Sequence, residues 1–169
     1  MSVKRITTLS LLMTLAYVGR LIMQPIPNVQ PVTAILIIIT LCMGTLDGIL
    51  VAIGSMFISN IFMGMGPWTL AQILTFILII LLTRWIIRPF YRENSWPNRI
   101  IIAIWSMLSG FLYGFIISIM MVKMYQINHF WAYYLRGIPF DFLHGIGNLI
   151  FYLLLEPILV PLIQRYFKE

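Results

Sequence analysis

A chain of 169 residues that is 61% hydrophobic and only 9% charged, with a mean hydropathy of +0.97, has too little polar surface to coat a globule in water, where about 25% of residues are usually charged. It reads as an integral membrane protein. The net charge of +6 is no pointer to nucleic acid, because in a membrane chain basic residues report first on loop placement. The single cysteine, Cys42, excludes an internal disulfide and any multi-cysteine metal site, and in its apolar run it reads as a packed thiol.

Residues 6–23 form the first predicted span. No small-residue cleavage site follows it, so it is read as a retained helix. Ser10 and Thr14, with Ala16 and Gly19, leave a small face suited to a partner. Arg20 lies near the outer end, where a guanidinium either snorkels to the interface or faces a cavity. The stretch "MQPIPNVQPVTAILIIIT" then carries Pro25, Pro27 and Pro31 with Asn28 and Gln30 between them. Its prolines predict a stiff extended strap, which serves either as a lid over the bundle mouth or as a plain connection.

Residues 32–83 contain two glycine-rich breaks, at 44–48 and 64–68, which predict three crossings. The pieces are about 14–18 residues long, short of the ~20 that a bilayer needs, so the breaks are expected within the membrane depth, shielded by neighbours. Asp47, in the first break, needs water or a partner. Gly48, Ala52, Ser55 and Ser59 make a small-residue stripe on the third helix, with Asn60 at its outer end. Trp68 and Gln72, four apart, are expected to share one face of the fourth helix.

"RWIIRPFYRENSWPNR" supplies Arg84, Arg88, Arg92 and Arg99. With Lys4 and Arg5 before the first span and Arg165 and Lys168 at the far end, these clusters hold eight of the 11 Lys and Arg residues. The positive-inside pattern puts both termini and the 84–99 loop in the cytoplasm. Two further spans follow, at 100–122 and 140–163, giving an all-α, six-helix membrane bundle in one domain. The outer segments are then 24–31, 64–68 and 123–139. In the fifth helix Ser106, Gly110, Gly114 and Ser118 form a ridge at four-residue spacing, which permits close helix contact. The sixth begins "PFDFLHGIGN", where Asp141, His144 and Asn148 share a face. Ionisable residues inside a membrane are functional candidates, although Asp141 also has His144, Arg20 and Arg136 as possible structural partners. Glu156 is expected to face another helix or a partner near the cytoplasmic side.

No phosphate-binding glycine loop, HExxH, Cys/His ligand cluster or G-x-S-x-G turn occurs, so neither ATP use by this chain nor a familiar hydrolytic site is indicated. An internal repeat and a charge ring are equally lacking.

The combination "VGRLIMQPIPNVQPVTAILIIITLCMG", "SNIFMGMGPWTLAQ" and "FDFLHGIGN" resembles the substrate-binding component of energy-coupling factor (ECF) vitamin transporters, over residues 9–162. The resemblance implies a six-helix protein of the bacterial plasma membrane, with no cofactor and no enzymatic activity. It would bind a vitamin or related micronutrient near the outer face and dock on a shared module of one transmembrane coupling protein and two ATPase subunits. Carried onto this chain, residues 24–32 would be the cover loop, contacting cargo through Asn28 and Gln30. Asn60, Trp68 and Gln72 would form one wall, and Asp141, His144 and Asn148 another, with Arg20 nearby. Ser10 and Thr14 would stand where the family carries an Ala-x-x-x-Ala docking face, a motif this chain lacks. Corrinoids, pantothenate, folates, thiamine precursors and queuosine precursors all remain open as cargo. The competing readings are a stand-alone or proton-coupled carrier, and an intramembrane enzyme using Asp141 and His144 as acid and base.

Overall fold

The computed structural model describes residues 2–93 and 95–167; Lys168, counted above in a basic cluster, lies outside them. Six α-helices follow in order: α1 (Val3–Ile22), α2 (Val32–Cys42), α3 (Thr45–Met63), α4 (Pro67–Leu82), α5 (Trp96–Met124) and α6 (Phe130–Phe167). A π-helical turn (Thr83–Ile87) and a 3-10 turn (Arg88–Phe90) extend α4, and no strand occurs among the described residues. Five helices are long and apolar enough to cross a membrane.

The two breaks fall where glycine permits them. Gly44 and Gly64 have φ of 117° and 107°, the region that a Cβ makes costly. Pro67 opens α4 at its first position, where its missing N–H leaves no bond unmade. The expected three helices therefore form, but α2 has only 11 residues. At 1.5 Å per residue it spans about 16 Å, half of a ~30 Å hydrocarbon core. Its residues from Val32 to Leu41 are all buried, as suits a helix apolar all round, and the other five helices enclose it.

The strap between α1 and α2 explains this shortness. It is not extended, as the prolines suggested, but folded into successive turns: the Ile26 amide donates to the Met23 carbonyl (2.9 Å) and the Val29 amide to that of Ile26 (3.3 Å). Pro27 followed by Asn28 at φ 58° is the sequence signature of a type II turn. Residues 24–28 of the folded strap stay exposed, and only its end, from Val29 to Pro31, packs into the bundle. A Cβ on Gly19 would collide with Pro31, and one on Gly147 would lie 3.2 Å from Val29. Gly147 is about 25 Å along α6 from its start, so α2 begins well below the tops of α5 and α6.

Those tops also depart from expectation. Residues 123–139, read as an outer segment, are mostly helical, because α6 starts at Phe130 and runs through Pro139, Pro157 and Pro161. Phe130 and Tyr134 stack at 5.8 Å, and Phe115 of α5 meets both edge-on. Lower down, the α5 ridge is buried against α6. A Cβ on Gly110 would lie 2.6 Å from the Gly145 amide, and one on Gly114 would strike the Asp141 carboxylate. The α3 stripe is likewise buried within the bundle.

At the end carrying the first residues of α1, two ion pairs tie helices together. Arg5 donates through Nε (2.9 Å) and Nη2 (2.7 Å) to Oδ1 of the fully buried Asp47, giving that residue the partner it requires. Arg99 lies 3.0 Å from Glu156 and also donates to the Leu153 carbonyl. Pro157 has no N–H to give that carbonyl, which stands four residues before it, so the guanidinium fills the vacancy.

A polar cavity beneath the strap

Arg20 ends α1 with a buried guanidinium. Its Nη1 donates to Asn60 Oδ1 (3.0 Å) and to Ser59 Oγ, and lies 3.4 Å from Met56 Sδ, all on α3. The Asn60 amide then donates to Thr69 Oγ1 (2.9 Å) and Gln72 Oε1 (2.8 Å) on α4. One asparagine therefore links three helices and has both ends of its amide engaged. No carboxylate faces the guanidinium in these bonds, and its buried Nε has no hydrogen-bond partner among the described residues. An isolated buried cation is costly unless paired.

A cavity of about 140 Å³ opens beside this network. Arg20, Gln72 and Tyr113 line it from the helices, and Gln24, Asn28 and Gln30 line it from the strap. Three distant segments rich in donors and acceptors thus meet around one space.

Asp141, His144 and Asn148 do not line that cavity. They form a second buried polar row behind it. His144 Nε2 lies 3.1 Å from Thr33 Oγ1 at the start of α2, and its ring stands edge-on to Tyr113 at 4.9 Å. Tyr113 therefore connects the cavity to the row. Asp141 Oδ2, His144 Nδ1 and both side-chain polar atoms of Asn148 are buried with no hydrogen-bond partner. None of the pairings open to Asp141 forms: its Oδ2 meets neither His144 nor Arg20 nor Arg136. Gly114 provides the room in which its carboxylate sits.

Trp68 does not join Gln72 in lining the cavity. It is 38% exposed, its indole lies over Gly66, and the adjacent Thr69 takes the inward position. On α1 the small face divides. Ala16 is buried and Gly19 abuts Pro31, whereas Ser10 and Thr14 are exposed on the opposite side. Sequence reading missed Tyr113, Thr33 and Thr69, and took Ser59 only as part of a packing stripe. Tyr113 was within reach, because it stands three residues after Gly110 and so borders the small ridge.

A family model described as ECF transporter, substrate-specific component, matches residues 4–156. No curated protein and no solved structure matches the chain.

Proposed function

The chain belongs to the substrate-specific components of ECF transporters, and we propose on that premise that it captures a vitamin or related micronutrient in the cavity beneath the strap. In this reading it crosses the bacterial plasma membrane six times with both termini inside. It delivers its cargo with a transmembrane coupling protein and two ATPase subunits, docking through the exposed Ser10–Thr14 side of α1. The positive-inside pattern supports the orientation. The recessed strap supports the sixth crossing, because α2 and the strap together reach further than 11 helical residues do.

One observation carries the binding site: a buried guanidinium, three strap amides and the Gln72 amide converge on one partly open space. Arg20 Nε and the amide N–H groups suit a carbonyl or carboxylate of the cargo, as pockets fix orientation with a few placed polar groups. The cavity, about 140 Å³, is smaller than the ~300–1,000 Å³ of ordinary small-molecule sites. Admission of a vitamin therefore requires the strap to move, and Asp141, His144 and Asn148 become reachable when the space enlarges towards Tyr113.

The test is purification in mild detergent followed by mass spectrometry of the released small molecule and calorimetric titration of it back. Tight binding without ATP, with ATPase subunits recovered in the transport-competent complex, is the expected result. Failure of any micronutrient to bind in the absence of the module overturns the reading. The unpartnered Asp141 and His144 atoms favour a second reading, a proton-coupled carrier. Uptake that persists in cells lacking every candidate ATPase subunit would select it.

A further inference from the structure

Arg84 and Arg88 lie at the opposite end of the molecule from the cavity. The membrane-crossing segment that contains them runs over 24 residues, Pro67–Phe90, or about 36 Å at helical rise. That exceeds a ~30 Å hydrocarbon core, so its last turn emerges at headgroup depth. Just before that last turn the helix widens into the π-helical turn Thr83–Ile87, a distortion often found at functional sites.

The turn is held on both sides. Thr83 Oγ1 donates to the Ile79 carbonyl (2.8 Å) and accepts from Trp105 Nε1 (2.9 Å). Beyond it, Asn98 accepts from the Arg92 amide and donates to the Phe90 carbonyl, each at 2.9 Å. Between these anchors, Arg84, Trp85, Arg88 and Pro89 line an open recess of about 510 Å³.

The charges here differ from their neighbours at the same end. Arg5 and Arg99 have carboxylate partners, but Arg84 and Arg88 make no ion pair among the described residues. Arg88 instead lies 5.6 Å from the centre of the Tyr91 ring. Burial, and Cys42 beside it, push the Tyr91 phenol up, so it stays neutral and offers Arg88 no countercharge. Trp85, in the lining of the recess, is 67% exposed, and Phe90 and Trp96, near it in the chain, are similarly bare. Exposed tryptophan at this depth is the mark of a headgroup-level anchor.

We propose that the recess between Arg84 and Arg88 is a binding site for the phosphate of an anionic phospholipid in the inner leaflet. Paired guanidinium groups match phosphate oxygens, and the flanking rings sit where acyl chains meet headgroups. A lipid fits this surface better than an acidic protein does, because the two arginines and the exposed Trp85 share one recess at the end of a membrane-crossing segment. The site is independent of the cargo cavity and of its ligand.

The full chain in nanodiscs of phosphatidylglycerol is compared with the same chain in phosphatidylcholine of matched acyl length. Native mass spectrometry reads the retained lipid, and thermal unfolding reads stabilisation. Phosphatidylglycerol is expected to be retained in preference and to raise Tm. Each surface arginine contributes roughly fivefold to anionic-lipid affinity, so R84Q or R88Q lowers retention about fivefold and the double variant about 25-fold. R84K/R88K keeps most of the preference, and R165Q, another cation at this end, keeps it all. Equal retention of the two lipids by the unaltered chain overturns the proposal. So does equal stabilisation by inorganic phosphate in phosphatidylcholine, which assigns a free-anion site. A double variant that keeps its lipid preference but loses the ATPase subunits also overturns it, assigning the patch to a protein partner.

Discussion

At the basic end Arg5 lies on Asp47 and Arg99 on Glu156, whereas at the strap end Arg20 meets only a hydroxyl, an amide and a thioether. The paired side chains at the basic end tie α1 to α3 and α5 to α6, and the Arg5 and Arg99 side chains keep 32% and 23% exposure. Their charge is balanced within the protein and partly solvated, as a structural tie requires. Arg20 is balanced by neither route. A buried cation whose partners are all neutral lacks the countercharge that the paired arginines have, and that imbalance is what the proposed binding role of Arg20 rests on.

Removing Arg20 should therefore have the largest effect on binding. Arg20→Gln is expected to weaken the co-purifying ligand by about 30-fold or more, since truncating a buried charged partner typically costs 2–5 kcal/mol. Titration calorimetry reads this, and unchanged affinity would erase the contrast between the two ends. Next come the glycines. Gly110→Ala drives a methyl into the Gly145 backbone, and overpacking of that kind costs about 1–3 kcal/mol. Gly54→Ala meets only the flexible end of Met13 and is expected to shift thermal unfolding far less.

Asp47→Asn should cost about 1–3 kcal/mol of stability, because the buried amide oxygen can still accept from Arg5 but the charge-assisted bond is lost. Ligand affinity should not change. Loss of binding in this variant would show that the basic end reaches the cavity. The smallest effect belongs to the strap. Asn28→Ala places an ordinary residue at φ 58° and is expected to cost about 1 kcal/mol, whereas Asn28→Gly should be nearly neutral in stability. A drop in affinity common to both variants then reports the lost amide rather than the backbone.

Much of this molecule was legible in one dimension. The breaks at Gly44 and Gly64, the buried stripe on α3 and the ridge on α5 follow from local rules: glycine at positive φ, and small residues four apart on one helical face. The polar residues of the cavity were found because a greasy chain has few of them. Arg20, Asn28, Gln30 and Gln72 stand out against 61% apolar composition, and they do meet around one space. Local rules failed where the answer depended on a distant neighbour. Trp68 and Thr69 are adjacent, and of the two it is Thr69 that is buried and meets the Asn60 amide across the α3–α4 interface. Ser10 and Ala16 are both small, and only Pro31 and the rest of the bundle decide which faces out.

Composition and spacing thus carried the membrane character, the helix breaks and the roster of polar candidates, because solvation and backbone sterics act residue by residue. Packing alone decided that the end of the strap settles beside Gly19 and Gly147, and that Tyr113 joins His144 to the cavity. It also decided that Arg99 completes the carbonyl left open by Pro157. Those contacts join residues from 12 to 118 positions apart, and the free energy of each depends on which other surface occupies the same place.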